Sequence, residues 1–323
     1  MNRFPRLAVS LLLLVAAASV AHAAAPAGHR FITQGKGKLV VVAADGRFER
    51  ELKWGGIHDI HVLRDDDGTP RSVLLQQGPA KVAEVDLASG EIVWSYDSAT
   101  QNGNAGRKVE VHAFQPLADG KLMIAESGAA RIIEIDRAGK LLHEVKLKVE
   151  HPHPHTDTRL VRKLASGNYL VCHEGDGAVR EYSPAGDVVW EYRVPLFDRD
   201  PQGGHGPEAW GNKCFAAVRL PSGNTLLSTG NGHGALEVTP AGEIVWQLKQ
   251  DDLPNIRLAW VTTLEVLPSG NYVLGNCHAG PGQPVLVEIE PKTKRVVWQY
   301  PGFDQLGNAV SNSQLLDAGK TLR

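Results

Sequence analysis

Thirteen histidines occur in 323 residues, and they are unevenly spread. His58 and His61 lie close together, and His151, His153 and His155 alternate with Pro152 and Pro154. Imidazole titrates near neutral pH, so such groups serve as general acid or base. In the neutral form they also ligate divalent metals. A spacing of two places both rings on one side of an extended strand, whereas the prolines favour a loop. Arg159 and Arg257 offer planar forks for a sulfate or carboxylate, or for an ion pair at the surface or between structural units. The chain has no His-Glu-x-x-His zinc signature, Ser or Cys nucleophile motif, or Gly-rich phosphate loop. Cys172, Cys214 and Cys277 read as buried structural thiols.

The elements that position these side chains come from an internal repeat. A turn of Gly plus a polar residue precedes an apolar run at Gly68, Gly120, Gly167, Gly223, Gly270 and Gly319, with spacings of 47 to 56 residues. A second signature follows at Glu84 to Trp94, Glu181 to Trp190, Glu237 to Trp246 and Glu288 to Trp298, with a copy lacking Trp at Glu134 to His143. Each reads as strand, tight turn, strand. Trp at a fixed repeat position is expected to fill the gap between neighbouring sheets. The spacing therefore predicts an all-β six-bladed β-propeller with four antiparallel strands, a to d from the axis outward, in each blade. Five units are complete, over about 55–98, 108–148, 153–194, 210–250 and 257–300. The N-terminal segment from Phe31 is expected to supply strands b to d of the sixth, and Ala309 to Leu316 its strand a, which leaves no free edge.

In an up-and-down blade the d-to-a connection and the b-to-c loop emerge on one face. Ten of the 13 histidines map there: His58, His61, His112, His151, His153, His155, His173, His205, His233 and His278. The candidate catalytic residues are His58, His61, His112, His155 and Arg159. The candidate substrate-binding residues are His173, His233, His278, Trp260, Arg257, Asn231 and Gln77. Glu110, Asp157, Glu174, Glu208, Trp210, Asn212, Asn276 and Asn312 are expected as companions. The Pro- and Gly-rich stretches 195–211 and 280–284 are expected to wall the pocket. The His pairs are compatible with a divalent metal, but no motif specifies one.

Arg3, Arg6, the apolar run Leu7 to Val20 and Ala21-His22-Ala23 have the form of an export signal. The expected organisation is a signal peptide over 1–23 and a single propeller over 24–323, with no membrane anchor and a periplasmic or secreted location. The formal net charge of −2 excludes a polycationic nucleic-acid binder. The expected partner is a small-molecule or saccharide ligand.

The segment Glu84-Val85-Asp86 through Ser89-Gly90 to Trp94 resembles the quinoprotein-type repeat. His112-Ala113-Phe114-Gln115-Pro116-Leu117-Ala118-Asp119-Gly120 is similar to the blade opening of bacterial arylsulfotransferases, which are six-bladed periplasmic propellers. That resemblance implies a transiently sulfated channel histidine supported by further His and Arg residues, roles open to His112 and Arg159. Quinone-binding relatives have eight blades and a vicinal cysteine pair, so a bound quinone is not expected. Six- and seven-bladed polysaccharide lyases, some with a His-bound metal, offer a further analogy. The resulting expectation is an enzyme acting on a carbohydrate or other small polar or anionic substrate, sulfotransferase-like or lyase-like. The alternative is a non-catalytic quinoprotein-like propeller that binds a ligand or protein partner.

Overall fold

The computed structural model describes residues 28–56 and 58–323, so the segment expected to be an export signal lies outside the described residues. Six four-stranded antiparallel sheets are formed. Blade I comprises Ile60–Arg64, Pro70–Gln77, Lys81–Asp86 and Ile92–Asp97, and blade II comprises Glu110–Pro116, Leu122–Ser127, Arg131–Ile135 and Leu141–Lys146. Blade III holds Val161–Lys163, Tyr169–His173, Ala178–Tyr182 and Val188–Arg193, and blade IV holds Ala217–Arg219, Thr225–Ser228, Ala235–Val238 and Ile244–Leu248. Blade V is built from Val261–Val266, Tyr272–Asn276, Leu286–Glu290 and Arg295–Tyr300. In blade VI the C-terminal Ser313–Leu315 pairs with Phe31–Gly35, followed by Lys38–Val42 and Phe48–Lys53. This is the expected closure, with Phe31 opposite Leu315 and Thr33 opposite Ser313.

Alternation along each strand fixes the packing. In Pro70–Gln77, Val73 and Leu75 point to a cluster with Ile32, Leu39 and Val41 of blade VI. Leu74 points the other way, to Val111, Phe114 and Ile124 of blade II. The period of two therefore gives every sheet two apolar faces, one for each neighbour. Outer strands become exposed, and Val93, Val189 and Val245 are largely solvated.

The repeated Trp does more than fill space. Its Nε1 donates to a carbonyl in the next blade: Trp94 to Arg137 at 2.8 Å, Trp190 to Pro240 at 2.9 Å and Trp246 to Pro291 at 2.8 Å. The Glu opposite it faces inward to the Gly-Asn turn, where Asn168, Asn224 and Asn271 each donate to it at 2.7 Å. The turn glycines have positive φ, for example +85° at Gly68 and +90° at Gly167, a conformation glycine adopts without a Cβ clash.

Candidate functional site

Three blades contribute to one cluster at the face predicted to hold the histidines. His58 lies in the connection before blade I, His112 in the inner strand of blade II, and His155 in the connection before blade III. Two of them are aimed by local devices. Gly56 has a φ of +149°, and a Cβ there would lie 2.1 Å from the Gln76 carbonyl oxygen, so only glycine lets the chain pass this strand. The His58 N–H then donates to Gln76 Oε1 at 3.2 Å. His112 sits where the pairing of its strand shifts between Val111 and Ala113, a β-bulge that turns its side chain out of the regular alternation.

The three rings meet edge-on, with centroids 4.3 Å apart for His58–His112, 5.2 Å for His112–His155 and 5.9 Å for His58–His155. One nitrogen from each lies within 4.8 Å of the others. His58 and His112 are buried, whereas the His155 side chain is 48% exposed. Glu110 bridges two of them, with Oε2 at 3.1 Å from His112 Nε2 and 2.7 Å from His155 Nδ1. Hydrogen bonding to His112, then to His155, holds its carboxyl down at about 2 against the effect of burial. Burial pushes His58 well below the usual imidazole value, helped by the charges of His112 and Arg159. Burial likewise lowers His112. The His58 Nδ1 is buried without a hydrogen-bond partner.

Arg159 completes this side. Its Nη1 lies 3.3 Å from His112 Nδ1, its Nε pairs with buried Glu174, and its guanidinium stands 5.8 Å from the Phe215 ring centroid. Lys213 reaches the same Glu174 at 3.7 Å. Three imidazoles with a carboxylate can accept or release protons, or hold a divalent cation. A second group, Glu150, His151 and Asp176, is spaced for a cation. However, Arg180 already pairs with Asp176 at 2.6 Å and with Glu150 at 2.8 Å.

Other sequence candidates fall elsewhere. His61 is one step along the inner strand of blade I and does not join the cluster. It packs edge-on to Phe114, and lines a cavity of about 580 Å³ at the opposite mouth beside the Gly68 and Gly319 turns. His173 is inside blade III, between the Asp157 carbonyl at 2.7 Å and the Tyr182 hydroxyl at 2.8 Å. His233 is also buried, bonded to the Ala209 carbonyl at 2.6 Å and accepting the Trp260 N–H at 3.2 Å. His278 and Trp260 form a second group with His205, whose ring is 5.0 Å and 4.4 Å from theirs. Asn231 accepts the Lys213 N–H at 3.1 Å and so supports a loop, while exposed Arg257 pairs with Glu208 at 2.8 Å. Gln77 is off by one: its buried neighbour Gln76 contacts His58. The 195–211 connection brings His205 to the mouth, but the cavity it lines, about 400 Å³, opens between blades III and IV beside Phe197, Arg199 and Trp210.

Sequence reasoning missed the network under the opposite mouth. Asp59 accepts from Arg162 Nη1 at 2.8 Å and Nη2 at 3.0 Å, from Asn312 at 3.1 Å and from the Phe114 N–H at 3.1 Å. Burial pushes this carboxyl up, but the Arg162 charge and His61 outweigh it and hold it far below the ordinary range. The usable signal was an acid beside a histidine at the start of an inner strand.

The fold and the repeat define a PQQ-type repeat propeller of six blades. The chain belongs to the family described as outer membrane protein assembly factor BamB, matching its PQQ_2 model over residues 49–300. Among solved structures, a protein of unknown function from Bacteroides caccae is similar over 90% of this chain and 99% of that chain, at TM-score 0.71 and 20% identity. Selenomethionine-substituted virginiamycin B lyase from Staphylococcus aureus is similar over 85% of this chain and 84% of its own, at TM-score 0.51 and 14% identity. A catalytically inactive variant of that lyase, solved with quinupristin, gives TM-score 0.53 and 14% identity over 87% and 86%. At these identities the likeness is one of fold. No curated protein matches the sequence.

Proposed function

We propose that this propeller is an enzyme that removes a proton from a small polar or anionic substrate, such as a carbohydrate, in a lyase-like elimination. The observation that carries this reading is the Glu110–His155 pair at 2.7 Å. A carboxylate oxygen only accepts, so at that distance His155 Nδ1 donates, which in a neutral ring puts the lone pair on Nε2. Half-exposed His155 is then a base whose imidazolium Glu110 stabilises. In the elimination Nε2 takes a carbon-bound proton, the C–H pair becomes the new double bond, and the leaving group departs with its own bonding pair and is protonated by solvent. Arg159 and Lys213 stand on the same side for an anionic substrate group. The virginiamycin B lyase variant made inactive by replacing one histidine with alanine is consistent with imidazole chemistry on such a propeller.

Turnover on a panel of acidic saccharides and sulfate esters tests this. His155→Ala and Glu110→Gln should each lower kcat by about 10²- to 10⁴-fold, the range of general-base contributions, with the product absorbing as an unsaturated compound. Sulfate release without unsaturation would favour a sulfotransferase-like reaction at the same base. Unchanged turnover in both variants would remove them from the chemistry.

A second reading has its own support. Family membership and the solvated pairs Ile92/Val93, Val188/Val189 and Ile244/Val245 on outer strands suit a non-catalytic propeller that binds a protein partner. It predicts partner binding lost on Val93→Lys and Val189→Lys, with no turnover on any substrate. We also propose export to the periplasm or outside the cell. Mass spectrometry of the exported chain should find it starting at Ala24.

A further inference from the structure

We propose that His58, His112 and His155, with Glu110 beside them, form a binding site for one zinc-class divalent cation. The inference concerns the same mouth and does not depend on the proposed reaction; because His155 Nε2 would be a ligand, a chain holding the ion could not use it as the base, and the test separates the two.

The argument starts from His112. Its Nδ1 lies 2.9 Å from the Thr158 carbonyl and its Nε2 lies 3.1 Å from Glu110 Oε2. Both oxygens accept only, and a neutral imidazole carries a single N–H. If Nε2 holds the proton, it donates to Glu110 and Nδ1 can accept from Arg159 Nη1 at 3.3 Å; if Nδ1 holds it, Nε2 points a lone pair at the Glu110 lone pair. If Nδ1 donates to Thr158, the pattern is the usual outer-shell anchoring of a metal-binding histidine, with Nε2 left free. A cation between Nε2 and Glu110 then turns that repulsion into ligation.

His58 gives independent support. Its ring is buried, and its Nδ1 has no hydrogen-bond partner, a desolvation cost with no compensating bond. A cation shared with His112 and His155 would satisfy it. Arg159 does not compete as the missing cation, because its charge is matched by Glu174.

Ligand type selects the metal. Neutral imidazoles with one carboxylate suit zinc and its neighbours better than calcium or magnesium, which prefer oxygen. Around zinc, ligand nitrogens at about 2.1 Å from the metal lie roughly 3.4 Å apart, so a set spread over up to 4.8 Å must contract. His155 is the member able to move, since it is solvated and sits in a connection rather than a strand.

The test uses the untagged chain, stripped with chelator and titrated with Co²⁺ and Zn²⁺. One ion per chain is expected, with visible Co²⁺ bands of nitrogen ligation that Zn²⁺ abolishes. His155→Ala, which should fold because the side chain is solvated, should weaken binding by at least 10- to 100-fold, and His58→Asn by a similar factor. His151→Ala should bind as the parent does. Failure to bind one ion per chain overturns the proposal, as does undiminished binding in both His155→Ala and His58→Asn. Turnover that persists in stripped protein, with no bands on adding Co²⁺, overturns the metal and leaves the acid–base reading standing. Stoichiometric binding with no turnover on the substrate panel does the reverse.

Discussion

His58 and Asp59 are adjacent in the chain and belong to two different buried polar groups. Asp59, buried beneath the opposite mouth, accepts from a bidentate guanidinium, a side-chain amide and two backbone N–H groups. His58 has a ring nitrogen without a partner and shares its surroundings with a half-exposed histidine. The Asp59 carboxylate is bonded at both oxygens and ties blades I, II, III and VI together through Phe114, Arg162 and Asn312, although Arg162 Nε beside it is buried without a partner. The histidine group is open on one side. A buried carboxylate paired at both oxygens specifies a fold, and a cluster open to solvent on one side and unpaired on the other is free to meet a ligand. Structure and function thus divide within a single dipeptide.

The largest expected effect tests the Asp59 half. Asp59→Ala leaves the Arg162 guanidinium buried without its carboxylate, and breaking such a pair costs about 3–5 kcal/mol. Urea unfolding should show that loss. A double-mutant cycle with Arg162→Met should recover part of it, because removing both charges leaves none buried alone. A loss below about 1 kcal/mol would mean that the two mouths do not differ in the way argued here.

Acid should act on the frame next. Burial lowers both His61 and His173 from 6.5 to about 4. Above pH 6.5 neither state binds the proton, so neither histidine affects stability. As pH falls from 6.5 toward 4 the unfolded chain takes the proton first, and the fold is destabilised by up to about 3 kcal/mol for each group. Below pH 4 that contribution levels off. Unfolding free energies across this window should fall with pH, and His173→Asn should remove its share of the slope. A flat profile in the parent would show that these rings are not held neutral.

The same division explains what the sequence makes legible. Every blade interface poses the same packing problem, so the turn glycine, the strand-c Glu and the Trp recur, and the six-bladed closure follows from counting them. The mouth has no repeat. It draws on connections before two blades and on one strand between them, and a bulge at His112 breaks the alternation that would place its side chain. An error of one position is enough to pick Gln77 in place of Gln76. His61 differs for a related reason: its place near a connection predicts the same face, yet three residues beyond His58, in the inner strand, the side chain turns toward the other end of the channel. Glu110 was visible as a companion, but its place between two imidazoles depends on bringing residues 110 and 155 together across blades. Asp59 and Arg162 lie 103 positions apart, and no local pattern links them.

The smallest expected shift sharpens the comparison most. His155→Ala removes a side chain whose hydrogen-bonding contact within the cluster is Glu110, from a solvated position in a connection. Its backbone N–H still donates to His153 Nδ1 at 3.2 Å, so the loop keeps its local bond. A surface substitution of this kind changes stability by no more than about 0.5 kcal/mol. Glu110 keeps His112 as a neighbour and sits near solvent, so its charge is not stranded as that of Arg162 would be. Equal urea midpoints for His155→Ala and the parent are therefore expected, in the same experiment that shows Asp59→Ala collapsing. A loss of more than about 2 kcal/mol would place His155 in the frame with Asp59, and the cluster would then be a structural network that happens to reach the surface.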